Sequence, residues 1–217
     1  MQRAANEVWG GLVGSEMCQS DRTIPKPLQS PHPPLWQVVD TAPSIDFAAR
    51  HDLQAMFWIP PTDSLLPRFE AYRDAASDAR GSEVALGEGV AVLRDMFVTE
   101  TMAEAERLAG EGIVRYMQWV CEFRGLGNHR YPDEELPDTP GKLDALSYEW
   151  LHPRNMLFGT PDYVAGKIHE MKEKLNLRKL LVWSSFPGVA HEATMDSIAM
   201  FTEEVMPQFA DVAEEVA

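Results

Sequence analysis

From Leu35 onward the chain alternates short apolar runs with stretches in which apolar residues recur at helical spacing. Leu35 to Val39 is apolar, preceded by prolines and followed by Asp40, Thr41 and Pro43, the pattern of a buried parallel strand. Ser44 to His51 then offers Ile45, Phe47, Ala48 and Ala49 to one face of a short helix. Leu53 to Ile59 repeats the strand pattern and is closed by Pro60 and Pro61, after which Thr62 or Asp63 can cap a helix running towards Ala79. A third strand, rich in Val and Leu, is predicted within Val84 to Val98. Thr101 with Glu104 forms a capping box, and the helix it opens carries Ala105, Leu108, Ile113, Met117 and Val120, with a break expected near Gly110 and Gly112. Gly125 to Pro161 shows little period and reads as a long loop, functional or partly helical. A helix over Pro161 to Leu175 starts after Thr160, Lys179 to Trp183 is the fourth strand, and His191 to Phe209 is the terminal helix.

Strand and helix alternating four times argue for a parallel sheet with helices packed outside it. Four such units make half of a (β/α)8 barrel. A half-barrel leaves two unpaired edges and an uncovered inner face, so either another chain supplies the missing half or the fragment rearranges or associates.

The flanks have a different character. Residues 1 to 22 show no period and include Gly10, Gly11 and Gly14; they read as a poorly ordered leader, either a mobile terminus or, from GGLVGSEMC, adapter-like sequence joined to a gene fragment. TIPKPLQSPHPP, from Thr23, has five prolines that forbid a helix and suit a surface connector. The expected organisation is a leader over 1–22, one domain over 23–210 and a tail over 211–217.

Composition narrows the function classes. The 217 residues carry 34 acidic groups against 19 basic ones, a formal charge of −15, which disfavours nucleic acid and anionic membranes as partners. Cys18 and Cys121 form no metal or redox motif and read as reduced thiols, no apolar run approaches the ~20 residues of a membrane span, and the expected compartment is the cytoplasm.

Three segments in order carry a likeness to a known family: PKPLQSPHPPLW (Pro25 to Trp36) with SIDFAARHD after it, GTPDYVAGKI (Gly159 to Ile168), and MFTEEVMPQF (Met200 to Phe209). With these the chain resembles the carboxy-terminal half of a luciferase-like flavin-dependent monooxygenase. The likeness implies strands five to eight of the barrel, with the first four strands and much of the flavin pocket lying elsewhere. It implies FMN, no metal, a small organic substrate with O2, and a flavin reductase as a possible partner. It implies an enzyme that uses reduced flavin to insert one oxygen atom into its substrate. Two alternatives stay open: a non-catalytic flavin-binding or scaffold subunit that closes its half-barrel as a homo-oligomer, and a deazaflavin-dependent reductase.

In such a barrel the chemistry gathers where strands end. Thr41, before a short helix, is the preferred contact for a flavin phosphate, with Asp40 and Ser184 as further cofactor-binding candidates. Against these stands the reading that Asp40, Thr41 and Ser44 only cap a turn, that Asp40 would repel a phosphate, and that Ser184 with Ser185 starts a loop. Trp58 and Thr99 also end strands. His129, His152 and His191 occupy loops or helix starts, yet no carboxylate or cysteine stands at a spacing that makes a ligand set or triad. Tyr131, Tyr148, Trp150 and Phe158 either wall a substrate tunnel or pack under the long loop. No catalytic residue is assigned.

Overall fold

The computed structural model describes residues 27–135 and 146–212. The leader over 1–22 and the end of the tail lie outside the described residues, and the chain divides into two units, 1–34 and 35–217. Within the first, residues 27–34 contain neither helix nor strand, as their prolines require.

The second unit is built on an all-parallel sheet. β1 (Trp36–Val38) pairs with β2 (Gln54–Phe57), β2 with the first residues of β3 (Val90–Val98), and β3 with β4 (Met156–Gly159) and β5 (Leu180–Trp183). Val92 is paired with both Phe57 and Leu180, and Asp95 with both Met156 and Trp183. β2 and β4 therefore share one edge of β3, and β5 has the other. Four strands, β1, β2, β3 and β5, run side by side as the sequence predicts, and the short β4 is an addition that the aperiodic stretch concealed.

Strand alternation sorts the side chains of β3. Val90, Val92, Met96 and Val98 point into one core with Ile45, Phe57, Phe69, Ile168 and Val205. Phe97 points the other way, into a second core with Ile113, Met117, Leu151, Phe158 and Phe186. The first core is covered by α1 (Ala42–Arg50), α2 (Leu66–Arg80) and α6 (Pro161–Leu175), the helices that connect successive strands and form the outer layer. The terminal α7 (His191–Met200) is pinned to the sheet by Ser197, whose hydroxyl accepts the Val98 N–H at 2.7 Å.

The helix after β3 departs from the expected arrangement. α3 (Met102–Ala105) runs through a π turn at Glu106–Gly110 into α4 (Glu111–Arg124), so the expected break at Gly110 and Gly112 is a change of pitch within a continuous helix. Its apolar face, Ala105, Ala109, Ile113 and Met117, packs into the second core, so this helix covers the inner face at the ends of the strands instead of lying outside the sheet. Gly112 permits that placement: a Cβ there would stand 2.3 Å from the Pro187 carbonyl oxygen in the loop after β5. The second half of the long stretch is also ordered, with α5 (Tyr148–Asn155) capped by Ser147 and leading directly into β4.

Candidate cofactor site

The ends of β1, β2, β3 and β5 meet beneath α4, which brings together residues far apart in sequence. At the end of β1, Thr41 caps α1: its hydroxyl oxygen accepts the Ser44 N–H at 3.4 Å, while Ser44 Oγ accepts the Thr41 N–H at 3.1 Å. Of the two readings open for Thr41, capping is visibly occupied, and the Thr41 side chain is also exposed. Asp40 accepts from Arg124 Nη1 at 2.5 Å, which ties the end of α4 to the end of β1 and offsets the charge that would repel a phosphate.

Arg124 and Arg68 share the lining of a cavity of about 450 Å³ with Ser64, Asn128, Arg130 and Tyr131. Arg68 Nη1 is buried with no hydrogen-bond partner among the described residues, and burial lowers the Arg68 pKa while nearby Asp40 opposes the shift. An unsatisfied guanidinium donor in a polar cavity suits an oxyanion. A second cavity of the same volume, between α4 and α5, is lined by Glu106, Glu111 and Glu149 and has the opposite charge character.

In the middle of the strand ends, Trp58 donates its indole N–H to Asp95 Oδ2 at 3.1 Å. Asp95 is fully buried and its Oδ1 has no partner among the described residues. Burial pushes its pKa up to about 7, and the Trp58 N–H and the Arg94 charge only partly oppose this. Arg94, on the opposite face of β3, is also buried and donates to the Trp58 carbonyl at 2.5 Å and the Pro60 carbonyl at 2.8 Å, fixing the turn that carries Trp58. Around Asp95 stand three aromatic rings: Tyr116 of α4 has its centroid 5.9 Å from Trp58 and 6.3 Å from Trp183, the last residue of β5. Trp119 and Phe123 continue the stripe along α4 and are exposed. Ser184 follows Trp183 directly, and Ser185 uses its backbone carbonyl to accept the Trp183 indole N–H at 2.9 Å.

The other sequence candidates are placed elsewhere. His129 is fully buried, with Nε2 3.6 Å from Cys121 Sγ. Burial lowers the imidazole to about 4 and raises the thiol to about 11, so both are neutral and no thiolate–imidazolium pair forms. His152 Nε2 bonds the Phe158 carbonyl at 2.7 Å, and His191 begins α7 on the surface. Of the loop aromatics, Phe158 is core, and the Arg154 guanidinium lies between Tyr131 and Trp150 while pairing with Glu134, which matches the packing reading. Thr99 turns its hydroxyl to the Thr101 carbonyl. Asp95, Arg68, Arg124 and Tyr116 were not singled out from sequence. The one signal for them is the pair Arg94–Asp95 inside an otherwise apolar strand, where a buried charge calls for a reason.

No family model matches the chain, and no curated protein does. Solved structures do. The monooxygenase RslO1 from Streptomyces bottropensis superposes with a TM-score of 0.65 at 22% identity, over 86% of this chain and 51% of that one. The oxygenating constituent of 3,6-diketocamphane monooxygenase from the CAM plasmid of Pseudomonas putida, solved in complex with FMN, gives 0.63 at 23% identity, over 81% and 49%. The coenzyme F420 dependent tetrahydromethanopterin reductase from Methanopyrus kandleri gives 0.60 at 16% identity, over 83% and 52%. The chain spans about half the length of each. By fold, this chain matches about half of each of these solved chains, with a parallel sheet and outer helices like one half of a luciferase-like (β/α)8 barrel.

Proposed function

We propose that the chain forms the phosphate-facing side of the cofactor site in a flavin-dependent monooxygenase that acts on a small organic substrate. The observation that carries this reading is the meeting of Arg124, Asp40, Thr41 and Arg68 at the end of β1, with Arg68 Nη1 left without a partner among the described residues. The residues fit the group. Arg68 and Arg124 would receive the phosphate, and Thr41 would orient it beside the first turn of α1. Tyr116, Trp58 and Trp183 offer flat apolar surface to an aromatic ring system.

Reduced FMN, when bound, would supply the oxygen-activating chemistry. The chain's own part is positional. α4 lies across the strand ends, Asp95 beneath the aromatic rings has its pKa raised by burial to about 7, and Arg94 fixes the Trp58 turn. Ser184, next to Trp183, would contact the ring side of the cofactor.

A second reading has its own support. Trp36, Val38, Leu181 and Trp183 stand on the inner face and are 38–46% exposed, an apolar surface that a second half-barrel would cover, whether a second copy or a separate chain. In that case the chain acts as a flavin-binding subunit, and a deazaflavin reductase stays an alternative because the F420 dependent reductase shares the fold.

Equilibrium dialysis against FMN tests the first reading. Arg68→Ala is expected to weaken FMN binding by about tenfold and to leave riboflavin, which lacks the phosphate, unchanged. Equal loss for both ligands, or for neither, removes Arg68 from the phosphate site.

A further inference from the structure

A large cavity among the described residues lies away from the strand ends, against the outer face of β5. It measures about 790 Å³ and is walled by Leu180 and Val182 of β5, Ile168 of α6, and Phe201, Met206 and Phe209 of the terminal segment. Three cations, Lys172, Arg178 and Lys179, complete the lining.

These cations are unusual in this chain. With 34 acidic residues against 19 basic ones, most described lysines and arginines pair with a carboxylate. Lys172, Arg178 and Lys179 do not. Lys172 lies 5.5 Å from the centroid of the Phe209 ring, and Lys179 lies 5.0 Å from that of Trp36 and donates to Gln54 Oε1 at 3.3 Å. Arg178 has no ion-pair or hydrogen-bond partner among the described residues.

Charge and apolar surface are also ordered along the strand. Arg178 and Lys179 precede Leu180 and Val182, so the cations stand at the start of β5 and the apolar wall continues along it for roughly 7 Å, at about 3.3 Å per residue. A negatively charged head at Arg178 would place a hydrocarbon chain of that length against Leu180, Val182 and Phe201.

We propose that this groove is a binding site for a medium-chain carboxylate, separate from the cofactor site. An anion is favoured over a neutral amphiphile because Arg178 and Lys179, both exposed and neither ion-paired among the described residues, would face its head group. A carboxylate with a short chain is favoured over a polypeptide helix because Arg178 and Lys179 precede the apolar residues of β5 instead of alternating with them.

The test uses the whole chain and decanoate, kept below its micelle concentration and followed by isothermal titration calorimetry. One saturable site is expected. Arg178→Ala should weaken it by about tenfold, the usual loss for one charge-assisted hydrogen bond, and decanol should bind weaker by a similar factor. Two substitutions on β5 locate the ligand: Val182 and Leu181 are 37% and 40% exposed and point to opposite faces, so either position accepts Glu without disturbing a core. Val182→Glu should abolish binding, and Leu181→Glu should leave it within about twofold, since only Val182 lines the groove. The proposal is overturned by the absence of saturable heat, by equal binding of decanol, by Arg178→Ala binding as the parent does, or by loss in Leu181→Glu with retention in Val182→Glu. It is equally overturned if Val182→Glu splits a stable dimer on size exclusion and the parent takes up no decanoate, because the groove is then covered by polypeptide.

Discussion

Trp58, which follows β2, and Asp95, in the middle of β3, are joined by one hydrogen bond of 3.1 Å from the indole N–H to Oδ2, and the second carboxyl oxygen is buried without a partner among the described residues. The bond satisfies half of a carboxyl group that the surrounding apolar residues disfavour in its charged form. Burial, which the bond only partly opposes, raises the Asp95 pKa to about 7.

That setting fixes a direction for stability against pH. The folded-state pKa is raised to about 7 from 3.8, so the folded chain binds more protons than the unfolded chain between those values. Asp95 therefore costs no stability below about pH 4, and its cost grows as pH rises to about 7 and then levels off. The upper bound is about 4 kcal/mol for a shift of roughly three units. Asp95→Asn keeps an acceptor for Trp58 and removes the charge. Urea unfolding should show it more stable than the parent at pH 8, with the gap closing by pH 4; a gap independent of pH would mean that Asp95 does not titrate in this range.

Arg94 makes the converse case. It is fully buried, and burial lowers its pKa to about 10, so it stays charged while donating to the Trp58 and Pro60 carbonyls. Arg94→Met should cost about 3 kcal/mol by leaving buried carbonyls unpaired, and Arg94→Lys should not restore it, because an ammonium lacks the fork that spans two acceptors. Urea unfolding of both variants at pH 7 checks this.

Close approach of the chain to itself gives a third test. Gly87, in the turn before β3, has φ +79°, and a Cβ there would stand 2.1 Å from the Asn176 carbonyl oxygen at the end of α6. Gly87→Ala should destabilise by at least about 2 kcal/mol from strain and overlap together, whereas Gly166→Ala, where a Cβ meets nothing within 4 Å, should not destabilise. Thermal unfolding of the pair separates the two effects.

Cys121 is predicted to be inert in the folded chain, since burial raises its thiol pKa to about 11 and His129 beside it is neutral. In a Cys18→Ser background, a thiol reagent at pH 8 should label Cys121 only in urea. Rapid labelling of the folded chain would contradict the neutral pair.

Much of the fold was legible because each element had a local cause. Pro161 after Thr160 opens α6 where the sequence places it, and Pro60 with Pro61 closes β2 within two residues of the expected end. β4 was not legible: four apolar residues, Met156 to Gly159, between α5 and Thr160 carry no alternation, and only their pairing with Asp95 to Val98 makes them a strand. The side of the sheet on which α4 lies was also beyond the pattern, because an amphipathic helix announces a buried face without saying which layer buries it. For the proposed site, Thr41 and Asp40 were candidates from their place after a strand. Arg124 and Arg68 were missed because they sit on helix faces, 84 and 28 residues from Asp40 in the chain, and only folding brings them to it.

The central claim is that this chain builds the phosphate side of a flavin site. The most direct measurement is an anaerobic titration of the purified chain with reduced FMN and, separately, reduced riboflavin, with size-exclusion chromatography on the same samples. The account predicts saturable FMN binding by a discrete species, with riboflavin weaker by about tenfold or more for want of the arginine contacts. Equal affinity for the two, or no binding of FMN by a well-defined species, would contradict it.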